Sequence, residues 1–137
     1  MNKQFTASDI VGVNPIVAMP FTQNGEIDEC SFIRLLEHLV TSGVNGATLF
    51  GVASEFPKLD DRERDRMAQL MVSTLAGSPV YRAFSVTDHS TEIAIKRAKR
   101  YQVLGADALM LLPPFFLSPS PRAVQEHIFA VLEAVDI

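Results

Sequence analysis

The sequence predicts an α/β fold of four βα units, the content of the N-terminal half of a (β/α)8 TIM barrel. Short apolar runs begin near Gly12, Gly46, Val80 and Ala108, and each is followed by a stretch with helical hydrophobic spacing. The runs are uniformly apolar, as in parallel strands buried on both faces. The interval between runs is close to the ~30 residues of a βαβ repeat. Strands alternating with helices imply a parallel sheet with right-handed crossovers. A small open sheet also accommodates four units. The repeat length favours the half barrel, as does the end of the chain at Ile137, where a fifth strand would begin. A complete barrel takes about 250 residues, so residues 1–137 are expected to form one partial barrel domain, strands one to four with their helices.

Residues 12–19 form the first expected strand, closed by Pro20 and the turn signal Asn24-Gly25. Phe32, Leu35, Leu36, Leu39 and Val40 then recur on one helical face, with Asp28 as N-cap and Gly43 as stop. Residues 46–50 form the second strand. Asp60 to Glu63 fits a capping box for the next helix, with Met67, Leu70 and Met71 facing inward. Residues 80–86 form the third strand. Ser90 or Thr91 caps a helix with a small inner face of Ala94, Ala98 and Tyr101, ended by Gly105. Residues 108–112 form the fourth strand, stopped by Pro113-Pro114. Pro121 suits the first turn of the last helix, whose apolar face is Val124, Ile128, Val131, Leu132 and Val135.

A net charge of −4 argues against a nucleic-acid partner, which requires clustered cations. The one small cluster, Arg97, Lys99 and Arg100, reads as a solvated helix face. A single cysteine, Cys30, excludes an intrachain disulfide and a thiol-rich metal site, and its helical context suits a buried or half-buried structural role. No apolar run approaches the roughly 20 residues that span a bilayer. The stretch MNKQFTASDI lacks the apolar core of a signal peptide. A cytoplasmic, reducing location without membrane partners is expected.

The stretch most suggestive of chemistry is Gly51, Val52, Ala53, Ser54 and Glu55. It lies at the C-terminal end of a parallel strand, where α/β folds bind ligands. Gly51 lets the backbone approach a ligand, and successive N–H groups can hold an anion; a plain turn would also use Gly and Ser. Glu55 is expected to hold the loop through backbone N–H groups rather than act as an acid or base. A Schiff-base amine must be desolvated, whereas Lys58, Lys96 and Lys99 all read as solvated. His38, His89 and His127 show no ligand spacing, so no metal is expected; His89 alone falls at the ligand face. Phe115 and Phe116, just past the fourth strand, suit local core, a pocket wall or a subunit contact.

Three blocks together resemble the N-acetylneuraminate lyase and dihydrodipicolinate synthase family of class I aldolases and lyases. They are Pro20-Phe21 with Asn24-Gly25-Glu26-Ile27-Asp28; Gly51 to Phe56, similar to G-[TS]-T-G-E-[FS]; and Gly105-Ala106-Asp107-Ala108 with Pro114-Phe115-Phe116, similar to GADA and P-Y-Y. The resemblance implies a barrel enzyme whose Lys, at the end of the sixth strand, forms a Schiff base with pyruvate or a related 2-oxo acid. That Lys would lie beyond Ile137, as would the fifth-strand Tyr of the proton relay, so no catalytic residue is expected in this chain. No cofactor is implied.

Two departures accompany the resemblance. Val52 and Ala53 stand where the family carries hydroxyls for the substrate carboxylate and the relay, and Phe116 replaces the second Tyr of P-Y-Y. Both losses argue against dihydrodipicolinate synthesis itself and leave open a divergent aldolase or dehydratase on a bulkier, more apolar 2-oxo acid. The partners implied are that substrate and either a homo-oligomer or a complementary C-terminal half. The alternative is a non-catalytic half barrel that self-associates or binds a small anion.

Overall fold

A computed structural model describes residues 5–116 and 118–137; the first four residues of the N-terminal stretch read above lie outside them. Strands β1 (Gly46–Leu49), β2 (Tyr81–Thr87) and β3 (Ala108–Leu112) form one parallel sheet in chain order. Helices α1 (Glu29–Thr41), α2 (Asp61–Thr74), α3 (Thr91–Leu104) and α4 (Pro121–Leu132) alternate with them.

The first expected strand needs correction. Segment 13–17 runs beside β1, but only Ile16 forms a bridge, to Thr48. Hydrogen bonds hold the segment there: Asn45 N–H donates to Val13 O at 2.9 Å and Gly46 N–H to the same oxygen at 3.2 Å, Val13 N–H donates to Asn45 Oδ1 at 2.9 Å, Thr48 N–H to Pro15 O at 2.9 Å and Val17 N–H to Thr48 O at 2.8 Å. Pro15 has no N–H to return toward β1, which removes a rung and leaves the segment extended but irregular. The spatial order is therefore segment 13–17, β1, β2, β3.

The helix starts match the chemistry that predicts them. Asp28 accepts from Ser31 N–H at 2.9 Å, and Asp60 and Glu63 exchange a reciprocal pair at 2.8 Å. Of the two candidates for α3, Ser90 is the cap. Gly105 closes α3 with φ +103°, a conformation open to glycine. The predicted inner face of Ala94, Ala98 and Tyr101 is fully buried. Tyr101 stacks on Phe84 of β2 at 4.9 Å and on Phe50 at 5.5 Å. Burial pushes its phenol up to about 12, so it stays neutral.

Two side chains sit differently from expectation. Cys30 is exposed, because it precedes the buried Phe32 by two positions and residues so spaced do not share a helix face. On α4, Leu132 is exposed and His127 is buried with Val131. The arginine cluster is engaged structurally. Arg97 pairs with Asp61 and Asp88, and Arg100 with Asp65, which ties α3 to α2.

The Arg82 guanidinium and its own N–H donate to the Asp107 carboxylate at 2.7–2.8 Å, joining the starts of β2 and β3 with both side chains largely buried. Asp107→Ala leaves a buried guanidinium unpaired, and chemical denaturation should show a loss of roughly 3 kcal/mol.

His127 accepts or donates at Nδ1 to Thr91 Oγ1 at 3.0 Å, and its buried Nε2 has no partner among the described residues. Burial lowers its pKa, with Asp88 partly opposing. The unfolded chain therefore takes up this proton more readily than the folded one. The contribution of neutral His127 is complete above the ordinary histidine pKa of about 6.5 and is lost as pH falls through and below it. His127→Gln should flatten the pH dependence of stability between about pH 7 and pH 5, measured by urea midpoints at each pH.

Candidate functional site at the C-terminal end of the sheet

The chain turns sharply as it leaves β1. Phe50, fully buried, adopts the left-handed conformation with φ +65°, unusual for an aromatic residue. Its ring is held against Phe84 and Tyr101. Gly51 follows with an ordinary φ of −76°, so its role is clearance: a Cβ there would stand 2.7 Å from Ile16 Cγ2. Val52–Ser54 then make one 3-10 turn, closed by Glu55 in the left-handed region at φ +51°.

Ser54 holds this turn. Its hydroxyl is buried, donates to Val17 O at 2.6 Å and accepts from Phe50 N–H at 3.0 Å. It thereby connects segment 13–17 to the end of β1. Of the expected substrate-binding residues, Gly51 and Ser54 are interior, whereas Val52, 83% exposed, and Ala53 face outward. Among the described residues, neither the Val52 nor the Ala53 N–H has a protein acceptor. Glu55 does not bind backbone N–H groups as expected. Its carboxylate pairs with the Lys58 ammonium, a neighbour three residues on that reaches it more easily. Lys58, Lys96 and Lys99 are exposed, as a solvated reading requires.

Beside the loop lies a cleft of about 270 Å³ lined by Phe56, Arg64, Thr87, Asp88, His89 and Phe115, among others. Arg64 donates to Phe56 O at 2.7 Å and to Leu59 O at 3.3 Å, which fixes the outer arm of the loop. Burial lowers its pKa, with the nearby Arg97 adding to the effect. His89, exposed at this face, lies edge-on to Phe115 at 5.0 Å and to Phe116 at 6.0 Å. Phe115 and Phe116 are both more than 60% exposed, so the local-core reading does not hold in this chain.

Sequence reasoning missed the polar pairs on the sheet face opposite the helices. Thr48 exchanges hydrogen bonds with the Asn14 amide at 2.8 and 3.1 Å, and Ser85 Oγ lies 3.1 Å from Thr87 Oγ1. The register places Thr48, Ala83, Ser85 and Thr87 on that one face. Hydroxyls at alternate positions of otherwise apolar strands were the available signal. Among the described residues, no three His, Cys, Asp or Glu side chains are placed to hold a metal ion, and no helix is long and apolar enough to cross a membrane.

Comparison with known proteins decides the family. The dihydrodipicolinate synthetase family matches residues 9–137. The chain belongs to that family. It is 33% identical over 119 residues to a 4-hydroxy-tetrahydrodipicolinate synthase of Bartonella henselae, covering 86% of this chain and 40% of that protein. A candidate dihydrodipicolinate synthetase from Pseudomonas aeruginosa superposes with TM-score 0.89 at 30% identity, over 93% of this chain and 44% of its own. YagE, a prophage protein of the family from Escherichia coli K12 solved with pyruvate, superposes with TM-score 0.86 at 23% identity, over 92% and 42%. The chain thus spans about two fifths of the length of the curated relatives it matches, and its parallel βα units align with part of their barrels.

Ser54→Ala removes both bonds of the buried hydroxyl and leaves Val17 O without its partner. The expected cost is about 1–3 kcal/mol in chemical denaturation, with faster amide exchange at Val52 and Ala53 than at β2.

Proposed function

We propose that this chain contributes strands one to four of a Schiff-base-forming aldolase or lyase acting on pyruvate or a related 2-oxo acid. The observation that carries this reading is the loop at the end of β1. Ser54 holds it rigid, and it presents the Val52 and Ala53 N–H groups without protein acceptors at the face where parallel sheets bind ligands. Pyruvate bound to a family member, YagE, supports the substrate class. The loop holds the substrate carboxylate through backbone N–H groups. Ser54 acts as a positioning residue behind them, and Phe115 and Phe116 form an apolar wall or subunit contact. The imine-forming Lys comes from residues outside this chain; among the described residues the lysines Lys58, Lys96 and Lys99 are solvated, and an amine must lose its proton to attack a ketone.

Borohydride trapping tests this. The 137-residue chain with pyruvate and borohydride should gain no mass, whereas a chimera extended with the remaining residues of the Bartonella henselae relative should be trapped on one Lys. Imine formation on the short chain, or none on a folded chimera, overturns the assignment. Titrating the chimera with pyruvate should shift the Val52 and Ala53 amide resonances before others, and unchanged amides there would remove the loop from the site.

A further inference from the structure

Away from the C-terminal face, the groove between α2 and α3 gathers polar groups that the fold leaves without partners. It measures about 380 Å³ and is lined by Arg64, Lys96, Arg97, Arg100 and Tyr101, with Asp61 and Asp65 on its α2 side. Tyr101, 2% exposed, stacks its ring on Phe84 and Phe50. Its hydroxyl makes no hydrogen bond among the described residues, although a buried phenol ordinarily finds one. Arg64, Arg97, Asp65 and Asp61 all act electrostatically on this phenol, which puts the hydroxyl among them.

The cations around it are incompletely matched. Arg64 is half-buried and donates to two carbonyls, from Nε to Leu59 O and from Nη2 to Phe56 O. Its Nη1 makes no hydrogen bond, and no carboxylate pairs with it among the described residues. Buried charge without a counter-ion is costly. Burial and the neighbouring Arg97 both act against the charge of Arg64, a cost that a bound anion would offset. Arg97 makes one hydrogen bond among the described residues, from Nη2 to Asp61 at 3.1 Å, with Asp88 3.5 Å from the same nitrogen. Its Nε and Nη1 are left without acceptors. Arg100 is answered by Asp65. Lys96 is exposed and has no carboxylate partner among the described residues; the nearby Glu92 turns to Ser90 instead.

We propose that this groove binds the phosphate group of a small phosphorylated molecule. The charge balance selects the dianion. Among the groups lining the groove, Asp61 and Asp65 answer Arg97 and Arg100, and Arg64 and Lys96 are left over; Asp88 approaches Arg97 from the neighbouring cleft. A phosphate monoester carries about −1.5 to −2 at pH 7 and so matches two cations. Guanidinium forks fit its oxygens, and the Tyr101 hydroxyl adds a neutral donor. Asp61 opposes an anion, but its side chain is 87% exposed and its charge is screened by water and salt. The volume leaves room for an organic group beyond the phosphate. Val52 and Ala53 take no part in this groove, so the site stands or falls separately from the carboxylate loop.

Methyl phosphate is the probe. Titrated at low ionic strength into the 137-residue chain and into the chimera described above, it should saturate one site, with the largest amide shifts on α3 near Arg97 and Tyr101. Acetate, a monoanion, should bind about 10-fold more weakly. Tyr101→Phe keeps the ring stack and should weaken methyl phosphate binding about 10-fold. Lys96→Gln, on an exposed helix face, should weaken it about 5-fold and reduce its salt dependence, with the helical circular dichroism of the wild type retained. Absence of saturation at millimolar concentrations overturns the proposal, as does unchanged affinity in both variants. Methyl phosphate shifts confined to Val52 and Ala53 would assign the anion to the loop and remove this site.

Discussion

The geometry of the functional face depends on one buried hydroxyl. Ser54 receives the Phe50 N–H and gives its proton to Val17 O, and so ties the turn after β1 to segment 13–17, distant in sequence. Without it, the left-handed Phe50 would have little to hold it, since that conformation costs an L-residue roughly 1–2 kcal/mol. The stack of Phe50 with Tyr101 and Phe84 supplies the other half of the restraint. The loop is therefore held in place by the protein itself, and on the proposed function its exposed N–H groups would lose little freedom on binding an anion.

That dependence explains what the sequence revealed. Periodicity and caps located the helices almost to the residue, because Asp28, Asp60 with Glu63, Pro121 and the glycines at 43 and 105 are local devices read from local sequence. The three regular strands were equally legible as short apolar runs. What escaped was set by tertiary contact. Pro15 turns a plausible strand into an irregular edge, visible only once its neighbour is known. The burial of His127 in place of Leu132 reflects which flank of α4 meets α3, and several near-equivalent faces satisfy the same period. At the site, the motif located the loop but assigned Ser54 toward ligand, whereas its hydroxyl turns inward. Glu55 likewise meets Lys58 rather than the backbone, a choice between two nearby partners that spacing does not decide.

The same contrast separates the two kinds of surface on this molecule. On the helix side, large side chains such as Phe32, Leu36, Met67, Met71 and Phe84 are wholly covered. At the borders of the sheet, apolar groups of comparable size remain in water. A hydrophobic free energy of roughly 25 cal/mol per Å² acts on both, so the exposed borders carry an unspent driving force that the interior does not.

The chemistry of the C-terminal face follows from the same accounting of groups. Val52 and Phe116 are exposed apolar side chains at this face, beside the Val52 and Ala53 N–H groups that have no protein acceptor among the described residues. Such a surface is suited to holding a carboxylate beside an apolar substituent. The inner hydroxyls of Thr48, Ser85 and Thr87 already bond to one another or to Asn14. They form a buried polar stripe on the sheet in which each hydroxyl already has a partner. On the proposed function, the loop after β1 binds the carboxylate and the imine-forming amine comes from strands that close the barrel.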